Sequence, residues 1–273
     1  MAVPLMVAVH ATGAQRVTAA AETRAWLFTW SVTPTADGRA VSGGTLILDV
    51  AVWHGAVRIG VREGPLRALT GDGGTILLNA VDSSLVVVKP ARREALTAAS
   101  GDLGALMGGP GAGVPLELSD VGSSTRVRGA GERIFGFGTR RVQLTEHYTL
   151  QLNTPTVRRA IHVEQTHDIE ISREIAQLDP GFQAFASQFA RSVGLPPGVR
   201  VRLRALERSM PAGVPVRTAS AAVTVAGSDT LRTTTRAEMS ALRQELVDTM
   251  TFRVPAGYRV TEMSRLLQQP RRP

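Results

Sequence analysis

Ser42–Lys89 reads SGGTLILDVAVWHGAVRIGVREGPLRALTGDGGTILLNAVDSSLVVVK. Four apolar runs stand in it: Thr45–Trp53, Val57–Arg62, Thr75–Val81 and Leu85–Lys89. They are separated by His54-Gly55, Glu63-Gly64-Pro65, Gly71-Asp72-Gly73-Gly74 and Asp82-Ser83-Ser84. Short runs of Val, Ile and Leu punctuated by Gly, Asp and Pro are strands joined by turns. Within Val57–Arg62 the apolar residues fall on one face and Arg58 and Arg62 on the other, the alternation of a half-buried antiparallel strand. The stretch predicts a sheet and names no reaction.

Towards the N-terminus, Thr23–Thr35 continues the pattern, with Trp26, Phe28 and Trp30 on one face and Leu27 on the other. Pro34 and Asp37-Gly38 end that strand. Ala2–Val9 is apolar and is followed by the small residues of Thr12-Gly13-Ala14, the order of a secretory leader and its cleavage site, although no basic residue precedes it. The expectation is a leader remnant over 1–14, a single β-rich domain over 15–267 and a disordered polar tail over 268–273, exported to the periplasm or envelope. No run reaches the roughly 18 apolar residues of a membrane helix.

Towards the C-terminus, Ala91–Met107 is rich in Ala, Leu and Glu and predicts one or two short helices. Gly108–Gly113 lacks the Gly-Lys-Ser/Thr that a phosphate-cradling loop needs; Val114-Pro115 follows instead. Val142, Leu144, Tyr148, Leu150 and Leu152 alternate as a strand, with Glu146 the one polar intruder. Thr156–Gln165, Asp168–Ser172, Val199–Leu206, Val214–Val225 and Thr230–Met239 read as further strands. A helix is predicted over Asp179–Val193, with Asp179 as N-cap, Pro180 at the first position and Gly194 at the stop.

Composition narrows the classes. The chain has 273 residues, 43% hydrophobic and 20% charged, enough for a sizeable core. Aromatics make up only 4%, so that core is aliphatic. There is no cysteine, which excludes disulfides, thiolate chemistry and a lipidated Cys. The net charge of +8 rests on arginine, with Lys89 the single lysine, and it suits an anionic partner such as a membrane surface. Nucleic acid is not expected.

Candidate site residues are few. Phe182, Phe185, Phe189 and Val193 share one helix face; core contact is the ordinary reading, and a ligand-binding face that also includes Tyr148 is the sharper one. Arg200, Arg202 and Arg204 alternate with apolar residues and form either a solvated face or a contact for anionic surfaces. His162, Glu164, Asp168 and Glu170 share one face if their strand is unbroken; a wet strand face gives that pattern without a metal. The chain has no Gly-x-Ser-x-Gly elbow and no His-Glu-x-x-His helix. No catalytic residue, metal or cofactor is expected.

Phe252-Arg253-Val254-Pro255-Ala256-Gly257-Tyr258 resembles the closing Phe-x-Val-Pro-x-Gly-Tyr signature of a family of exported bacterial domains of unknown function. Gly213-Val214-Pro215-Val216-Arg217 is similar to that family's strand entry, and Gly138-Thr139 leading to Tyr148 to its central hairpin. The strand pattern from Gly43 to Lys89 also resembles the lipoprotein-carrier fold. That resemblance implies a curved, mostly antiparallel α+β half-barrel with a few helices on its concave side. It implies a non-enzymatic envelope protein that binds a lipid, a lipoprotein acyl chain or another apolar ligand. The alternatives are a scaffold docking an anionic partner through basic strand faces, a hydrolase, and an outer-membrane barrel whose aromatic girdles are absent.

Overall fold

The structure is a computed structural model that describes residues 22–41, 44–82, 84–99, 116–153, 158–190 and 210–263. The segments read as a leader, as a Gly108–Gly113 loop, as a strand bearing Arg200, Arg202 and Arg204, and as a tail lie outside the described residues. The described chain is one large, curved, unclosed and mostly antiparallel sheet with few helices. No helix among the described residues is long and apolar enough to cross a membrane.

The quoted stretch folds as read. Its runs become β3 (Leu46–Trp53), β4 (Ala56–Glu63), β5 (Thr75–Asn79) and β6 (Ser84–Lys89), paired in sequence as antiparallel neighbours. A short helix, α1 (Leu66–Thr70), sits between β4 and β5 where no element was expected, and it buries Leu66 and Thr70. The aromatic strand is β1 (Glu22–Ala36), and the two-residue β2 (Arg39–Ala40) folds back on its end.

The Ala91–Met107 helix is corrected where it is described: Glu94–Ala99 is a strand, β7. Arg93 adopts a left-handed φ of 47°, which turns the chain back so that β7 pairs with β6. On its other edge β7 pairs in parallel with β13 (Arg259–Glu262), and Arg259 Nη2 donates to the buried Glu94 Oε1 at 2.8 Å. Ladder pairing on both edges overrides the helix propensity of Glu-Ala-Leu-Thr-Ala-Ala.

The second half holds longer strands: β8 (Leu116–Ala130), β9 (Arg140–Asn153), β10 (Arg158–Ser172), β11 (Val214–Ala226) and β12 (Asp229–Asp248). The two segments read as Thr156–Gln165 and Asp168–Ser172 are one unbroken strand. Among the described residues the sheet has 13 strands in the order β13-β7-β6-β5-β4-β3-β1-β12-β11-β10-β9-β8, with β2 beside β1. β1 therefore joins the halves, pairing with β3 on one edge and β12 on the other.

Two short helices cover the sheet near that junction. α2 (Arg173–Leu178) starts where the Ser172 hydroxyl accepts from the Ile175 amide at 3.2 Å. α3 (Pro180–Phe185) begins as read: Asp179 is the N-cap, accepting from the Gly181 amide at 2.7 Å, and Pro180 takes the first position. The same Asp179 oxygen accepts from the Gly55 amide at 2.8 Å, which fastens the helix to the β3–β4 turn. Gly181 lies against the sheet so closely that a Cβ there would stand 2.6 Å from Val52 Cγ1. The helix continues as a π turn over Ala186–Ala190.

The principal core lies between these helices and the sheet. Phe182 stacks on Phe28 with centroids 5.7 Å apart and meets Trp26 edge-on at 6.4 Å. Phe185 is edge-on to Phe28 at 5.2 Å and to Trp30 at 5.8 Å. Such pairs add about 0.5–1.5 kcal/mol each to plain burial. Around them pack Leu46, Leu48, Val57, Ile59, Ile76 and Leu85. Phe252 is only half-buried, its ring centroid 5.5 Å from that of Trp53.

Candidate functional site

Polar and charged residues converge on the long strands. Their register sorts them onto two faces, because directly paired residues point the same way and the next pair points the other.

One face carries a groove of about 550 Å³, lined by Arg128, Arg141, Gln143, Asp168, Glu170 and Arg217. The ladder puts Gln143 opposite Asp168, Arg141 opposite Glu170 and Glu170 opposite Arg217, so β9, β10 and β11 each supply the wall at one level. Arg128 comes from β8 beside a bulge that ends at Gly129, whose φ is 114°. Arg128 donates to Gln143 Oε1, and Gln143 Nε2 donates to Asp168 Oδ1 at 3.1 Å. Arg217 Nη1 reaches Glu132 Oε2 at 3.2 Å and Glu170 Oε2 at 3.4 Å. The Arg141 side chain makes no hydrogen bond or ion pair to a described residue. Three guanidiniums against two carboxylates leave the lining net positive by one.

The opposite face holds a polar chain. Glu146 is 4% exposed. It lies between two apolar clusters, Val142, Leu144, Ile169 and Ile171 on one side and Tyr148 with Val163 on the other. Its Oε2 accepts from Gln165 Nε2 at 2.7 Å and lies 3.2 Å from His167 Nε2. His167 Nδ1 lies 2.7 Å from Ser220 Oγ. Burial and the nearby Glu146 charge push the Tyr148 phenol up to about 12.

The candidates read from sequence fall in different places. Phe182 and Phe185 are fully buried in the principal core, and Tyr148 lies in a separate cluster on the long strands. The side chain of Phe189, and Arg200, Arg202 and Arg204, lie outside the described residues. His162, Glu164, Asp168 and Glu170 do share one face of an unbroken strand, each with a different neighbour. His162 Nδ1 lies 2.9 Å from Thr149 Oγ1, Asp168 accepts from Gln143, Glu170 pairs with Arg217, and Glu164 stands opposite His147. Among the described residues no group of three or more His, Asp or Glu could hold a metal ion. Of the polar chain only Glu146 stood out in the sequence; His167 and Ser220 become visible once the β9–β10–β11 register is known.

No protein-family model and no curated protein matches the chain. Among solved structures it is similar to PNGF-II. In the C2 crystal form the identity is 9%, the alignment covers 89% of this chain and 32% of that one, and the TM-score is 0.34. In the P21 form the values are 9%, 88%, 32% and 0.33. The chain spans about a third of the length of PNGF-II, and so low a score assigns neither fold nor function.

Proposed function

We propose that this protein is a binding protein of the bacterial envelope and that its arginine-lined groove takes the phosphate of an anionic lipid head group. The observation that carries this reading is the groove itself: three guanidiniums converge there and Arg141 is uncommitted to any described residue. Guanidinium matches phosphate by paired N–H donors in a plane, so an arginine cluster favours that chemistry over a point charge. The curved, unclosed sheet is compatible with a lipoprotein-carrier-like half-barrel, the finer fold reading proposed with this function. A ligand at Phe182 and Phe185 would require the principal core to open; the groove requires no such change.

Co-sedimentation with vesicles tests the reading. Wild-type protein is expected to bind phosphatidylglycerol vesicles, to bind phosphatidylcholine vesicles weakly, and to lose binding as salt shortens the Debye length from about 10 Å at 0.1 M to about 3 Å at 1 M. The double variant Arg141→Gln with Arg217→Gln should lose most of that binding while remaining folded. Equal binding by variant and wild type, or none by either, removes the groove from the function.

A further inference from the structure

We propose that Ser220 is a nucleophile for activated carboxylic esters, with His167 as its general base and Glu146 as the group that orients the imidazole. This site lies on the face opposite the groove and stands on a separate observation, the chain Glu146–His167–Ser220.

The hydrogen bonds assign the roles. A carboxylate only accepts, so the 3.2 Å contact places the imidazole proton on Nε2, donated to Glu146 Oε2. In the neutral imidazole Nδ1 then carries the lone pair and accepts from the Ser220 hydroxyl at 2.7 Å. Gln165 Nε2 holds the same carboxylate oxygen at 2.7 Å, which fixes Glu146 from a second direction. A nucleophile beside a base that is itself oriented by a third group is the arrangement that activates a hydroxyl.

Exposure runs in the order the chemistry requires. The Glu146 side chain is 6% exposed, that of His167 is 20% exposed, and Ser220 is half-buried. The acid is thus screened from water, where its hold on the imidazole is strongest, and the hydroxyl is the accessible end. The face-neighbours of Ser220 along β11 are the small Thr218 and Ala222. The strands hold this geometry: His167 and Ser220 are direct cross-strand partners, and Glu146 is opposite Gln165, one step diagonal from His167.

In the reaction, Ser220 Oγ bonds to the ester carbonyl carbon as its proton passes to His167 Nδ1. The tetrahedral adduct collapses, the bond to the leaving oxygen breaks, and Nδ1 gives its proton to that oxygen or, where the oxygen leaves as an anion, to solvent. Water, deprotonated by the same nitrogen, then attacks the acyl-Ser220 ester, releasing the carboxylic acid and restoring the hydroxyl. The backbone amides around Ser220 are engaged in ladders with β10 and β12. The chain therefore supplies base assistance, about 10²–10⁴-fold, rather than a preorganised oxyanion site, and the substrates are esters with good leaving groups.

The test is p-nitrophenyl acetate with the full-length protein, followed by release of p-nitrophenolate and by mass mapping of the acetyl group. The expected result is acetyl on Ser220, absent in Ser220→Ala. His167→Gln should acetylate at least about 100-fold more slowly. Absence of acetyl on Ser220 in the wild type overturns the proposal, as does an unchanged rate in folded His167→Gln. Should His167→Gln fail to fold by circular dichroism, Glu146→Leu, which removes the acceptor for Nε2, takes its place. A folded Glu146→Leu protein that acetylates Ser220 at the wild-type rate is then the overturning result.

Discussion

The two halves of the sheet are built by different means. In the short-strand half, β3–β7 with β1, the strands β1 and β3–β6 are legible in the sequence and β7 is not, and the half buries its apolar face under α2 and α3. The long-strand half, β8–β12, has strands of 13 to 20 residues, two small apolar clusters and most of the polar convergence described above. Apolar burial is concentrated where helices cover the sheet, and polar side chains converge where they do not. Loss of a buried aromatic that packs on the short-strand half should therefore destabilise the whole molecule. Phe182→Ala removes a fully buried ring that touches Phe28 and Trp26. The expected cost is about 3–5 kcal/mol, read as a lower urea midpoint at unchanged slope. A midpoint within error of wild type would mean that the halves do not differ in this way.

A smaller effect tests the seam between helix and sheet. Gly181→Ala places a methyl 2.6 Å from Val52 Cγ1, 3.1 Å from Val57 Cγ2 and 3.1 Å from the capping Asp179 oxygen. Both valines are fully buried and have nowhere to move. Overpacking of this kind costs about 1–3 kcal/mol. An alanine here is a good helix former, so intrinsic propensity predicts stabilisation instead, and the sign of the change in melting temperature separates the two arguments.

The same contrast explains what could be read in advance. β3, β4, β5 and β6 were legible because each is short, aliphatic and ended by Gly, Asp or Pro. β8 was not, since Leu-Glu-Leu-Ser-Asp-Val-Gly-Ser-Ser-Thr-Arg-Val-Arg-Gly-Ala has few apolar residues and two register shifts that break its alternation. Glu94–Ala99 was misread because its strand state depends on β6 and β13, and β13 lies far along the chain. α3 was legible because its cap is local: Asp179, Pro180 and the next amide are adjacent. The groove and the polar chain are non-local in the same sense as β7. Arg128, Arg141 and Arg217 come from three strands, and His167 stands 21 positions from Glu146 and 53 from Ser220. Glu146 could be seen as out of place in a strand of Val and Leu, but nothing near it in sequence showed what it meets.

Tyr148 reports on the long-strand half alone. Its phenol is pushed from 10.0 to about 12 by burial and by Glu146. The folded state therefore holds this proton more tightly than the unfolded chain does. The resulting stability is fully present below pH 10 and falls as pH rises from about 10 through about 12. Ultraviolet titration in a Tyr258→Phe background, where Tyr148 is the remaining tyrosine, should show ionisation near pH 12. Adding Glu146→Gln should move it downward, because the coulombic part of the shift is gone while the burial stays. Ionisation at the ordinary value in folded protein would show that the Tyr148–Val163 cluster is open to water.

The smallest expected effect is the one that decides whether charge contributes to the difference between the halves. Each half has an exposed arginine–aspartate pair. In the short-strand half, Arg62 Nη2 meets Asp49 Oδ1 at 2.5 Å, with the side chains 56% and 49% exposed. In the long-strand half, Arg159 Nη2 meets Asp229 Oδ2 at 2.7 Å, with exposures of 46% and 79%. Pairs this open to solvent are worth about 0–1 kcal/mol, because water screens the attraction and two long side chains lose rotamer freedom. Arg62→Gln and Arg159→Gln should therefore each shift the urea midpoint by less than the Gly181→Ala change, and 1 M salt should leave even that difference smaller. Arg159 also donates to the Ala226 carbonyl at 2.7 Å, so its loss should be the slightly larger of the two. If the two variants are alike within about 0.5 kcal/mol, apolar burial alone separates the halves. If Arg159→Gln proves as costly as Phe182→Ala, the long-strand half is held by its charges.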